Sequence, residues 1–133
     1  LAGKEGSKLE KFLENYLREQ GYKVDFHKKN LIPTQKLEID MYLPDLNTII
    51  EVDGPSHFLP IWGEDKLAKQ IISDEQKNGI ILSKGFAVIR VKNLSDFISL
   101  RIKETLTRKV KETLKEIEKK FPKRSERYIE IEV

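Results

Sequence analysis

The chain has no cysteine, one tryptophan, one methionine, two histidines and five prolines in 133 residues. Without thiols, neither disulfides nor thiolate zinc sites form, and cysteine usage says nothing about redox compartment. There is no run of eighteen apolar residues to cross a bilayer and no secretory leader pattern. The expected location is therefore the cytoplasm or the nucleoid rather than a membrane. No internal repeat or low-complexity linker appears. The composition is 38% hydrophobic and 35% charged, that of a globular chain long enough for one core over residues 1–133, and too apolar for disorder throughout. Leu1, where a methionine would stand, fits an excised domain, with residues 1–6 partly a fusion remnant and a separate targeting domain elsewhere in the full protein.

A net charge of +3 hides an asymmetry. Residues 101–127 hold eleven Lys or Arg against five Asp or Glu, a net of +6, which leaves −3 for the remainder. An acidic half beside a basic tail suits a protein that holds metal ions and binds a polyanion; a solvated helix face is the alternative.

The most informative stretch is 37–57, LEIDMYLPDLNTIIEVDGPSH. Leu37, Ile39, Met41 and Leu43 alternate with Glu38, Asp40 and Tyr42, so period-two geometry sends Glu38 and Asp40 to one face and the apolar set to a core. Pro44, Asp45 and Asn47 supply turn chemistry, and residues 48–53 resume as a β-branched strand ended by Gly54-Pro55. If the two strands form a hairpin, Asp40, Glu51 and Asp53 converge. Three such carboxylates repel by roughly 3 kcal/mol per pair at about 5 Å and an effective dielectric near 20. A bound cation or a proton held at raised pKa offsets that. Hard ions such as Mg²⁺ or Mn²⁺ prefer oxygen donors of this kind. His57 adds a group able to move a proton near neutral pH. The alternative is a half-exposed sheet with solvent-facing acids and a loop histidine.

On these residues the chain resembles the PD-(D/E)XK nuclease superfamily, whose signature is an acid on one strand followed by acid-x-lysine on the next. The run Ile39-Asp40-Met41-Tyr42-Leu43-Pro44, with Glu51-Val52-Asp53-Gly54 and His57, is similar to the Vsr-like branch, which holds very short patch repair endonucleases and EDxHD-type homing endonucleases. The similarity extends over about residues 7–92, through Ser7-Lys8-Leu9-Glu10 at one end and Asp74, Lys77, Gly85, Val88 and Arg90 at the other. Asp53 stands where the superfamily usually has lysine; the Vsr-like branch also lacks that lysine, and the resemblance implies histidine in its stead. It also implies that Glu10, on the first helix, reaches the metal site, although from sequence alone Glu10 reads equally well as a cap partner. Residues 51–58, EVDGPSHF, resemble the core of the RAP domain as well, which implies a non-catalytic nucleic-acid-binding module.

Around this stretch, Ser7 and Glu10 have capping-box spacing, and Leu9, Phe12, Leu13, Tyr16 and Leu17 recur at helical spacing up to Gln20-Gly21. Residues 22–27 alternate as a strand broken by Lys28-Lys29-Asn30; Lys28, Lys29 and Lys36, with His27, are candidate phosphate contacts. The apolar loop 58–63 carries Trp62, either a wedge between bases of a duplex or a lid over the core. A helix is expected over 64–84, with Leu67, Ile71, Ile72, Gln76 and Ile80 on or near its inner stripe. Asp74 and Lys77 share a face there, as site residues or as an ordinary surface ion pair. Residues 86–91 read as a strand buried on both faces and parallel to the acidic one, with Arg90 turned toward the site. Helical spacing then runs from Leu94 to Phe121, about 40 Å at 1.5 Å per residue, long enough to overhang and to offer Arg108 and Lys109 to a phosphate backbone. A terminal strand at 128–133 is expected to extend the sheet or to pair with a second copy in a homodimer.

The expectation is an α/β domain with a restriction-endonuclease-like core, a mixed central sheet flanked by helices, and the activity of a metal-dependent DNA endonuclease using Mg²⁺ or Mn²⁺. Asp40, Glu51 and Asp53 are the candidate metal ligands, His57 the candidate general base, Lys77 and Arg90 candidate phosphate clamps, and Glu10 a further catalytic candidate. A RAP-like binding module and a dimeric Holliday-junction-resolvase-like nuclease are the competing expectations.

Overall fold

The computed structural model describes residues 7–33, 36–95 and 97–133; the expectation about residues 1–6 lies outside them. Helix α1 (Lys8–Glu19) starts as its spacing predicts, with Ser7 Oγ accepting the Glu10 N–H at 3.1 Å. The capping box closes by half only, because the Glu10 carboxylate turns to His27. Gly21, at φ +92°, reverses the chain where a side chain would be strained.

The first strand is displaced from the expected span. β1 runs Asp25–Lys29, starting later and passing through the two lysines expected to end it. Pairing with β2 (Glu38–Leu43) overrides local preference, for Lys28 and Lys29 stand opposite Ile39 and Glu38 in an antiparallel ladder. Lysine on an edge strand also discourages pairing with other chains. The hairpin itself forms as expected. A 3₁₀ turn at Pro44–Leu46 and Asn47 at φ +49° lead into β3 (Thr48–Asp53).

Helix α2 (Glu64–Ser83) then crosses to β4 (Ala87–Lys92), which lies parallel to β3. The next helix begins later than its periodicity suggested. α3 spans Leu100–Lys119, capped by Ser99 Oγ on the Ile102 N–H. Upstream, the Asn93 and Ser95 side chains accept the N–H groups of Ser95 and Phe97, both at 3.1 Å; such local bonds compete with a helix. The overhang is not found either. Twenty residues give roughly 30 Å, and Leu106, Val110, Leu114 and Ile117 are buried from the second turn through to the far end. β5 (Tyr128–Glu132) adds to the sheet parallel to β4.

The result is a five-stranded mixed sheet in the order β1-β2-β3-β4-β5 with helices on both faces. The larger core joins α1 and α3 to one face through Leu9, Leu13, Leu17, Met41, Ile50, Val52, Ile89, Leu106 and Leu114. The smaller core, Ile32, Ile39, Ile49, Ile81 and Val88, lies under α2. Ile39 sits with the smaller core while Met41 and Leu43 sit with the larger, so the expected strict alternation breaks at Asp40. The β2–β3 ladder runs from Leu43↔Thr48 to Met41↔Ile50. Beyond it, carboxylates hold the strands: Asp40 Oδ2 accepts the Val52 N–H at 2.9 Å and Glu51 Oε2 accepts the Asp40 N–H at 3.3 Å. No helix among the described residues is long and apolar enough to cross a membrane.

Candidate active site

Glu51 and Asp53 fall on the α2 side of β3 because Ile50 and Val52 are committed to the larger core. The inner face of α2 is accordingly not the apolar stripe expected. Ile71 and Ile72 point outward, 43% and 56% exposed, and of the helix's residues only Ile81 is buried. Asp74 and Lys77 face the sheet instead, bonded to Arg90 and Glu51, with Gln70 donating to Asp74 from the preceding turn.

Lys77 Nζ lies 2.6 Å from Glu51 Oε1. That oxygen is buried and has no well-angled hydrogen bond, so the contact is close in charge but poorly directed. Burial, with the nearby Asp40 charge, pushes the Glu51 carboxyl well above the usual carboxylate range, while Lys77 pulls the other way. Burial lowers the Lys77 ammonium, but Glu51, Asp40 and Asp53 outweigh it and the net shift is upward. Lys77 therefore stays charged.

On one side of Lys77, a cleft of about 40 Å³ is lined by Glu51, Asp53, His57, Asp74, Lys77 and Asn78. His57 Nδ1 is 2.9 Å from Asp74 Oδ2, and Nε2 is 3.7 Å from Asp53 Oδ1. Gln70 donates to Asp74 Oδ1 at 2.8 Å. Arg90 donates to Asp53 and to Asp74, both at 2.7 Å, with its guanidinium 4.6 Å from the Phe58 ring centre. Burial raises the Asp74 carboxyl, but hydrogen bonds from His57 and Gln70 overcome it and the net shift is downward. Burial lowers His57, yet its bond to Asp74 and the Asp53 charge leave it raised. Asp53 is raised, burial exceeding the help of His57 and Arg90.

On the other side, a cleft of about 350 Å³ is lined by Glu10, His27, Lys36, Leu37, Glu38, Asp40 and Lys77. His27 is in a left-handed conformation, φ +51°, rare for a non-glycine residue inside a strand. The ring thus bridges Glu38 Oε1 at 2.7 Å and Glu10 Oε2 at 3.0 Å. Burial opposes charge on His27, but the two glutamates raise it. Glu10 is raised by burial and by Asp40, against the pull of His27.

Among the described residues, two groups bring donor atoms within 4.8 Å of one another: Glu10, His27 and Asp40; and Asp53, His57 and Asp74. Asp40 and Glu51 adjoin through the strand splay, but Asp40, Glu51 and Asp53 do not form one such group. Asp53 instead belongs with His57. All six catalytic candidates nevertheless line the two clefts that Lys77 divides.

The phosphate-contact candidates scatter. Lys36 lines the wider cleft, and Lys28 and Lys29 lie on the edge strand β1. Trp62 is 71% exposed, so its loop is not a lid over the core. Arg90 is engaged by two carboxylates. Arg108 faces Glu112 at 3.9 Å, and Lys109 donates to the Glu132 carbonyl at 3.0 Å; α3 packs with the larger core, on the face away from α2.

Two members were expected in other roles or without partners. Asp74 shared a helix face with Lys77 by spacing, but its partners, His57 and Arg90, are distant in sequence. His27 falls between the pairs Phe26↔Met41 and Lys28↔Ile39, level with Asp40, which becomes visible only when β1 is placed correctly. Compared with protein-family models, curated proteins and solved structures, the chain finds no match.

Proposed function

We propose that this chain is a metal-dependent endodeoxyribonuclease. The observation that carries the proposal is the meeting of Glu10, His27 and Asp40, from three separate elements, beside a His57–Asp74 pair. The order of helix, three antiparallel strands, helix and parallel strand supports the restriction-endonuclease-like assignment suggested by the sequence resemblance.

The donor set fits a small divalent ion. Its two carboxylates supply the oxygen donors that Mg²⁺ and Mn²⁺ prefer, and the adjoining Glu51 Oε1 is buried with Lys77 Nζ 2.6 Å away. Glu10, His27 and Asp40 would hold the ion, with Glu51 adjoining. When bound, it would acidify a water and offset charge on a phosphate.

The chain's own groups have separable roles. Asp74, kept ionised, accepts the His57 Nδ1 proton and so leaves Nε2 as the basic nitrogen, able to take a proton from an attacking water. Lys77 presents a charge between the clefts, where a phosphate oxygen develops negative charge. Because His57 acts as a base only when neutral, and its pKa is raised, cleavage should accelerate as pH rises through that raised value.

A second reading has one specific observation behind it. Lys77 and Arg90 already pair with Glu51, Asp53 and Asp74 without an ion, as a non-catalytic nucleic-acid-binding module would require. Supercoiled plasmid incubated with Mg²⁺, Mn²⁺ or chelator separates the two. The nuclease yields nicked or linear product with metal only; Asp40→Asn, which keeps an acceptor for the Val52 N–H, reduces product to the chelator background; and His57→Ala slows cutting by roughly 10²–10⁴-fold. Cutting by Asp40→Asn at the parental rate would sink the proposal. DNA retention with no metal-dependent product would select the binding module.

A further inference from the structure

A groove of about 470 Å³ lies over the first half of α2, outside both clefts, with Leu59, Trp62, Lys66, Lys69, Gln70 and Ser73 among its lining residues. It contains two lysines and no carboxylate. It also abuts the candidate active site: Ser56, in its wall, precedes His57, and Gln70, in its floor, donates to Asp74 at 2.8 Å. Trp62, the only tryptophan of the chain, is 71% exposed at its rim.

A second bare aromatic stands at the same end of the sheet. Phe97, 78% exposed, follows β4. Because β3 and β4 are parallel with Asp53 opposite Lys92, and the Asn93 N–H is bonded to the Asp53 carbonyl at 3.0 Å, the connections that go on to Trp62 and Phe97 start from adjacent points at this end of the sheet. Phe58 leans the first connection over β4, its ring 4.6 Å from the Arg90 guanidinium and 4.9 Å from Lys92 Nζ. The carboxyl ends of parallel strands are where α/β sheets commonly receive ligands.

We infer that this end of the molecule is a stacking platform for single-stranded DNA, with bases on Trp62 and Phe97 and phosphates on Lys66 and Lys69, feeding the strand toward the His57–Asp74 pair. The inference deepens the nuclease reading and rests on it for what lies at the end of the groove. An exposed ring offers a base a π-face, and alanine substitution of such a ring weakens binding substantially for every base type. A duplex offers its base faces only where a step is unstacked at a cost of a few kcal/mol, whereas a single strand offers them freely. A protein partner would prefer a continuous apolar patch, whereas Lys66 and Lys69 put two charges into this one.

Trp62 is its own reporter. In chelator, where no cleavage occurs, an oligo(dT) of about 12 nucleotides, within the span of known single-strand sites, should quench the tryptophan emission to saturation at least roughly ten-fold more tightly than a duplex of equal length. Phe97→Ala should weaken that binding about five-fold to a hundred-fold. Lys66→Glu with Lys69→Glu should flatten its salt dependence by roughly 0.7 in log–log slope for each phosphate that these side chains cease to neutralise. Trp62→Ala, followed by anisotropy of a labelled oligonucleotide, should weaken binding to a comparable degree. Emission unchanged by oligo(dT), or quenched equally by duplex, would overturn the inference. Plasmid cleavage retained with no oligo(dT) binding overturns the platform alone. Quenching in a protein that never cuts plasmid keeps the platform and removes the hydrolytic reading.

Discussion

Helices α2 and α3 are each twenty residues long and lie against opposite faces of one sheet, yet they bury opposite kinds of surface. α3 turns Leu106, Val110, Leu114 and Ile117 inward and leaves its charges in water. α2 turns Asp74 and Lys77 inward, with Gln70 bracing Asp74 from the same helix, and leaves Ile71 and Ile72 outside. An apolar stripe holds a sheet with little directional demand. A polar stripe holds it only through named partners, each of which must be present. The first arrangement supplies stability, and the second supplies a site at some expense of packing.

Leu114→Ala should draw this contrast most sharply. Emptying a fully buried position on α3 costs about 2–5 kcal/mol, readable as a fall in the urea midpoint, whereas Ile72→Ala on α2 should stay within about 0.5 kcal/mol. Equal losses would show that α2 is held by its apolar residues after all. Next in size is Lys77→Ala. It strands the buried Glu51 carboxylate and should destabilise by roughly 3 kcal/mol; replacing the pair with Lys77→Met and Glu51→Leu should recover most of that, since an apolar pair of similar volume needs no desolvation of charge. A double variant as unstable as the single one would mean that the polar stripe is not what limits α2.

The smallest effect is the most local. Asp74→Asn should lower the His57 pKa, followed by the imidazole shift in NMR titration, because it removes the negative charge that favours the protonated ring. The signs run in opposite directions. His57, raised in the fold, contributes stability that is full below its ordinary value near 6.5 and lost as pH rises through its higher folded value. Asp74, lowered in the fold, contributes stability that is present above 3.8 and lost as pH falls through its lower folded value. The pair should therefore secure α2 best between those limits, and the variant should flatten that window. An unmoved His57 titration would leave the ring governed by Asp53 instead.

Much of the frame was legible. The α1 cap, the acidic hairpin, the crossover helix and the parallel return of β4 all follow from periodicity and turn residues. What failed did so for tertiary reasons. Lys28 and Lys29 are poor strand formers, but an edge ladder with β2 accepts them. Residues 94–98 keep helical spacing, but the Asn93 and Ser95 side chains take the first N–H groups. On α2, hydropathy marked Ile71 and Ile72 as the buried stripe because no sequence pattern announces that a helix faces charged strands. The candidate site was legible residue by residue, while its grouping was not. That Asp53 joins His57 and Asp74 rather than Asp40 depends on the strand splay and on Arg90, neither visible in spacing.

The sheet's spatial order repeats the order of the chain. No strand has to slip between two that are already paired, and each arrives at the margin its predecessor leaves open. A ribosome releasing this polypeptide from its amino end would thus extrude a sheet that can widen one strand at a time, with Asp40, Glu51 and Asp53 of the second and third strands in place before the last helix and strand emerge to seal the far border.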